Sequence, residues 1–127
     1  MVEQDYIMRL IKEMVRTLLK LLFQIELPNP ATELYKDLSE KNTLQTLLDL
    51  VDRGNINEAE NKVYELTADG DMENLKTAIL FYSYLNEKSS DFLEQHDFSR
   101  EEIAQGLRYL VDKYGLNSIA DTFLADF

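Results

Sequence analysis

The chain has no cysteine, one histidine, two prolines and four glycines in 127 residues. Without cysteine it can form no disulfide, thiolate zinc site or cysteine nucleophile, which fits a reducing cytoplasm. Gly54, Gly70, Gly106 and Gly115 are isolated from one another, so no glycine-rich loop cradles a phosphate. The apolar stretch at the start of the chain is interrupted by Arg9, Lys12, Arg16 and Lys20, which excludes a transmembrane span there. The opening Met1-Val2-Glu3-Gln4-Asp5 is acidic where an export signal is basic, and a cytoplasmic location is expected. Positive charge is scarce as well. The net charge is −11, which argues against nucleic acid as a partner, because phosphate neutralisation supplies most of that affinity.

What remains is a folded, helical composition. Apolar residues make up 45% and charged residues 29%, the balance of a globular protein rather than a disordered one. The length suits one domain over residues 1–127. Strand-like alternation is absent, and apolar residues recur at helical spacing between turn signals. The expected class is all-α with about seven helices, two of them short.

The first helix, over about residues 3–26, carries the strongest signal. At about 100° per residue, its apolar side chains from Tyr6 to Ile25 sweep roughly 220°. An ordinary surface helix needs a stripe only a little over about 100° wide, so this one needs more than one apolar neighbour. It is expected to be the central helix of the fold, with part of its arc left for a second copy. Arg9, Lys12, Arg16 and Lys20 share its polar face. Residues 1–23 hold those four cations against Glu3, Asp5 and Glu13, a net +1, which leaves −12 for the other 104 residues. The basic stripe is therefore expected to meet acidic protein surface. The candidate partner interface is Leu10, Met14, Leu18, Leu22 and Phe23 with Arg9, Arg16 and Lys20.

Leu27-Pro28-Asn29-Pro30 cannot continue a helix, so a linker is expected over 27–31 and a helical bundle over 32–127. A short helix over 32–38 would bury Leu34, Tyr35 and Leu38. The next, over 44–52, has Leu44, Leu47, Leu48 and Val51 on one face and stops at Gly54. Asn57 and Glu60 have capping-box spacing for a helix over 58–68, which Gly70 closes. Asp71 caps a helix that runs to about Asn86, with Leu75, Ala78, Ile79, Tyr82 and Leu85 as its core stripe. Ser89 or Ser90 opens a short helix with Phe92 and Leu93. Ser99 with Glu102 is a capping box for the helix that ends at Gly115. A last helix spans 117–125.

Gly54-Asn55-Ile56-Asn57-Glu58-Ala59 resembles the mid-repeat turn of tetratricopeptide repeats, where a glycine and a later small alanine let two helices approach closely. The expected architecture is thus a long N-terminal helix on a tetratricopeptide-like hairpin bundle. Leu47 and Asp71 depart from the repeat pattern, and no second copy occurs at an offset of about 34 residues. The resemblance implies one hairpin rather than an array. Through Glu3-Gln4-Asp5-Tyr6-Ile7-Met8-Arg9, the Leu18–Phe23 run and the Gly54–Ala59 turn, the whole chain also resembles small helical proteins of Gram-positive bacteria with no established function.

No catalytic constellation is apparent. His96 precedes Asp97, but no nucleophile elbow or oxyanion loop accompanies the pair. Leu93 stands three residues before His96 where a bundle di-metal site needs Glu. Asp69-Gly70-Asp71-Met72-Glu73 invites a calcium loop, but Lys76 occupies the position of the bidentate Glu. No cofactor or metal is implied. Gly106 lies mid-helix at a cost of about 1 kcal/mol, which a close helix crossing explains. Tyr82, Tyr84 and Tyr109 are candidates to line a pocket. The expected function is a protein–protein interaction module that homodimerises through the first helix and offers a groove to a protein or peptide. The alternatives are a peripheral membrane protein using that helix, or a small-ligand binder or enzyme with a site between helices.

Overall fold

A computed structural model of the chain describes residues 2–26, 42–125 and 127. Among them are seven α-helices and no strand. They are α1 (Val2–Phe23), α2 (Asn42–Asp52), α3 (Ile56–Leu66), α4 (Met72–Asn86), α5 (Ser90–Gln95), α6 (Arg100–Lys113) and α7 (Asn117–Leu124). The fold is all-α, as the periodicity requires. The linker expected over 27–31 and the short helix expected over 32–38 lie outside the described residues.

Local chemistry sets most helix ends. The Asp71 carboxylate accepts the Glu73 amide at 3.1 Å, the Ser89 hydroxyl accepts the Phe92 amide at 3.0 Å, and Ser99 accepts the Glu102 amide at 3.2 Å. Each satisfies an orphan donor of a first helical turn. After α2, Gly54 adopts φ +84° and the Asn55 amide returns to the Leu50 carbonyl at 2.8 Å, a Schellman closure that favours glycine.

Two ends depart from the expected pattern. Helix α1 stops at Phe23 because Gln24 turns left-handed at φ 57° and the Ile25 amide bonds back to Leu19 at 3.1 Å. A non-glycine residue pays roughly 1–2 kcal/mol for that conformation, so sequence does not announce it. Helix α3 starts at Ile56, with Asn55 in the cap position and no side-chain cap bond. Asn57 therefore lies inside the helix, and the Asn57–Glu60 capping box does not form.

Helix α1 packs on α4, α6 and α7, while α4 packs on α1, α2 and α6. The wide arc of α1 is thus largely consumed within the chain: Ile7, Ile11, Met14, Val15, Leu18 and Leu19 are all buried. The innermost helix is α4, not α1. Leu75, Ala78, Ile79, Leu80, Phe81, Tyr82 and Leu85 have no exposed surface, and a helix whose buried residues spread over so wide an arc belongs in the interior.

Two arginines tie helix ends together. Arg100, itself buried, donates to the carbonyls of Asn86 (3.2 Å) and Lys88 at the end of α4 and to the Ser90 hydroxyl at 3.0 Å. Arg108 donates to the Leu124 carbonyl at 2.8 Å and bonds to Asp121, anchoring α7 on α6. Both place a cation at the negative end of a helix dipole.

Candidate functional site

The interface residues expected on α1 separate into three groups. Met14 and Leu18 have no exposed surface and serve the core. Leu10, Leu22 and Phe23 are half-buried against that core, and the Lys76 ammonium lies 5.4 Å from the centre of the Phe23 ring. Arg9, Lys12, Arg16 and Lys20 are exposed. Among the described residues, Arg16 meets only Glu13 at 3.5 Å and Lys20 only Glu26 at 3.2 Å, both exposed pairs. Among the described residues Arg9 and Lys12 have no ion-pair partner. The basic stripe thus does not lie on an acidic surface of the described chain.

Among the described side chains of α1, the large apolar ones left exposed are Tyr6, 54% exposed, and Leu21, 63% exposed. With half-buried Leu10 they share one flank about 60° wide. Fifteen residues, or about 22 Å of helix, separate Tyr6 from Leu21.

A second feature lies where α3 and α6 meet above α4. Tyr82, fully buried on α4, donates its hydroxyl to Glu60 Oε2 on α3 at 2.8 Å. Gly106 on α6 closes the contact. A Cβ there would lie 2.6 Å from the Tyr82 hydroxyl and 2.8 Å from Glu60 Oε2, so a larger residue would force Tyr82 or Glu60 to shift. Outside this contact is a cleft of about 230 Å³ whose walls include Asn57, Glu60, Tyr64, Glu102, Gln105 and Tyr109.

Burial holds the Glu60 carboxyl above its ordinary range. Hydrogen bonds from Tyr82 and Tyr64 oppose that shift, and the charge of Glu102 adds to it. Burial and the Glu60 charge push the Tyr82 phenol far up, so it stays a donor. Tyr64 and Tyr109 meet edge to face, 5.7 Å between centroids. The Lys113 ammonium sits 5.5 Å from the Tyr109 ring centre and donates to the Thr67 hydroxyl at 2.9 Å.

Residues 1–115 match a family described as a family of unknown function, DUF6483. The chain belongs to that family. No curated protein and no solved structure matches it. The DUF6483 match includes α1 and the whole cleft and ends before α7.

The three tyrosines of the sequence reading do not share a pocket. Tyr82 forms the floor beneath Glu60, and Tyr109, 58% exposed, forms a wall of the cleft. Tyr84 donates to Asp52 at 2.6 Å beside Lys88, in a clamp between α2 and α4. In the sequence Tyr64 carries no motif of its own, and the spacing of Glu60 and Glu102 suggests capping residues. A usable signal was present: Asn57, Glu60 and Tyr64 recur at i, i+3, i+7, and Glu102, Gln105, Gly106 and Tyr109 at i, i+3, i+4, i+7. Each set is one helix face.

His96 is a packing residue. Its Nδ1 lies 2.7 Å from the Phe92 carbonyl, and its ring rests on Phe92 with 4.4 Å between centroids. The ring also fills the space above Gly54, where a Cβ would lie 2.2 Å from it. Among the described residues no group of three or more His, Asp or Glu side chains is placed to hold a metal ion.

Proposed function

We propose that the protein is an interaction module that pairs with a second copy of itself along the outer flank of α1. The supporting observation is the exposure of Tyr6 and Leu21 at opposite ends of one flank. An antiparallel two-fold pairing centred between Glu13 and Met14 sets Tyr6 of one copy against Leu21 of the other, and Leu10 against Thr17. Such self-complementarity is what a closed two-fold interface needs. The flank is a single helix about 33 Å long, narrower than a standard interface of about 1,600 Å², so the dimer is expected in the micromolar range. On its polar side the flank is bordered by Glu13, Lys20 and Arg9, so both signs of charge lie beside the seam.

In this reading the α2–α3 hairpin is a single tetratricopeptide-like unit that holds the bundle together. The left-handed Gly54 and the fully buried Ala59 support it. Residues 1–127 act as one domain in the cytoplasm of a Gram-positive bacterium, a setting supported by the absence of cysteine and the resemblance along the chain. No described helix is long and apolar enough to cross a membrane.

Sedimentation equilibrium tests the proposal. A monomer–dimer equilibrium is expected at roughly 1–100 µM, abolished by Leu21→Glu. A wild-type monomer throughout that range would overturn it. Pelleting with anionic vesicles in place of dimerisation would instead assign the flank to a membrane surface.

A further inference from the structure

The α3–α6 cleft has a charge imbalance that the rest of the protein avoids. Among the described residues, three carboxylates are half-buried: Glu60, Glu101 and Asp112. Asp112 faces Arg108 at 3.8 Å. Glu101 accepts from the Gln4 amide and lies in the field of Arg100. Glu60 instead has two phenols and a second carboxylate, Glu102, as its neighbours. The phenol hydrogen bonds of Tyr82 and Tyr64 offset part of that cost, but no cationic side chain is among the described residues that line the cleft. An ionisable group held at a cost inside a cleft is a mark of a binding site.

We propose that this cleft binds an alkylguanidinium group. The walls fit that chemistry. Glu60 and Glu102 supply charge, the side-chain oxygens of Asn57 and Gln105 are neutral acceptors, and Tyr64 and Tyr109 supply aromatic surface. A guanidinium is planar, always charged and carries five donors, and it both forks onto carboxylates and stacks on rings. The volume sets the scale. About 230 Å³ is below the roughly 300–1,000 Å³ of small-molecule sites, which suits one side chain rather than an extended substrate. Lys113, already bonded to Thr67, marks the outer edge where a cation contacts the same two rings. The group can come from an arginine of a partner protein or from a free alkylguanidine.

Amide chemical shifts of the full chain, titrated with agmatine, with a capped Gly-Arg-Gly peptide and with neutral butanol, test the assignment. Saturable shifts at Tyr64, Gln105, Gly106 and Tyr109 are expected with the two guanidinium probes and not with butanol. Tighter binding of the peptide assigns a protein arginine, and tighter binding of agmatine a free ligand. Glu102→Gln, at an exposed position where Gln also serves the capping box, is expected to weaken either probe by about fivefold. Glu60→Gln, which keeps an acceptor for Tyr82, is expected to do the same. No saturable shift, equal shifts with butanol, or undiminished binding by well-folded Glu102→Gln would overturn the proposal.

Discussion

Gly106 and Tyr82 meet so closely that a single methyl group at position 106 would sit 2.6 Å from the tyrosine hydroxyl. The contact joins α6 to the innermost helix, and Glu60 of α3 completes it through the 2.8 Å hydrogen bond from the same hydroxyl. Three helices therefore share one point of closest approach, and the cleft opens directly above it. The chain accepts a mid-helix glycine because the tertiary contact outweighs the helical preference for alanine.

Gly106→Ala is expected to destabilise the protein. Alanine gains about 1 kcal/mol of helix propensity, but overpacking a filled core costs about 1–3 kcal/mol. The Tyr82 ring is buried and cannot swing aside. Urea unfolding should show a net loss of about 1–2 kcal/mol. Adding Tyr82→Phe, which removes the nearest clashing atom, should recover part of it. A stabilised Gly106→Ala protein would contradict the contact.

Glu60→Gln is expected to raise stability at neutral pH and to change its pH dependence. Glu60 has a folded-state pKa above its ordinary 4.5, so the folded protein holds the proton more tightly than the unfolded chain. Its favourable contribution is present in full below pH 4.5 and is lost as pH rises through the raised value. The stability difference between Glu60→Gln and wild type should therefore grow in favour of the variant from about pH 4 to pH 7. A flat difference would show that Glu60 is not held in this environment.

Arg100 tests the junction between α4 and α6. Arg100→Ala leaves the Asn86 and Lys88 carbonyls without this partner and should cost roughly 2–4 kcal/mol in thermal or denaturant unfolding. Arg100→Lys should rescue little, because an ammonium cannot span two carbonyls and the Ser90 hydroxyl as a guanidinium fork does. Full rescue by Lys would assign the role to charge alone.

Met14 and Leu21 separate folding from association on α1. Met14→Ala should cost about 2–5 kcal/mol at every protein concentration, as a buried truncation does. Leu21→Ser should change monomer stability by no more than about 0.5 kcal/mol while removing any concentration dependence of Tm. The reverse pattern would place Leu21 in the core and Met14 on the surface.

Most of the fold was legible in the sequence because its determinants act over three or four residues. Asp71, Ser89 and Ser99 cap helices through their own side chains, and Gly54 and Gly115 end helices by adopting positive φ. The glycine at position 106 also signalled a close approach. The left-handed Gln24 escaped because nothing in its side chain favours that conformation. Met14 and Leu21 fall on the same broad apolar arc, and periodicity alone cannot say which is covered.

Side-chain type and spacing are enough to dictate an all-helical chain, its main caps and stops, and its acidic charge with a basic stripe on α1. The packing of the helices makes α4 the innermost and leaves Tyr6 and Leu21 as the exposed flank. It also turns Glu60 inward onto Tyr82, away from the cap its spacing suggests. Those outcomes depend on how residues 22 to 97 positions apart come to share space. Burial and dispersion act on the assembled helices, and no local pattern carries that information.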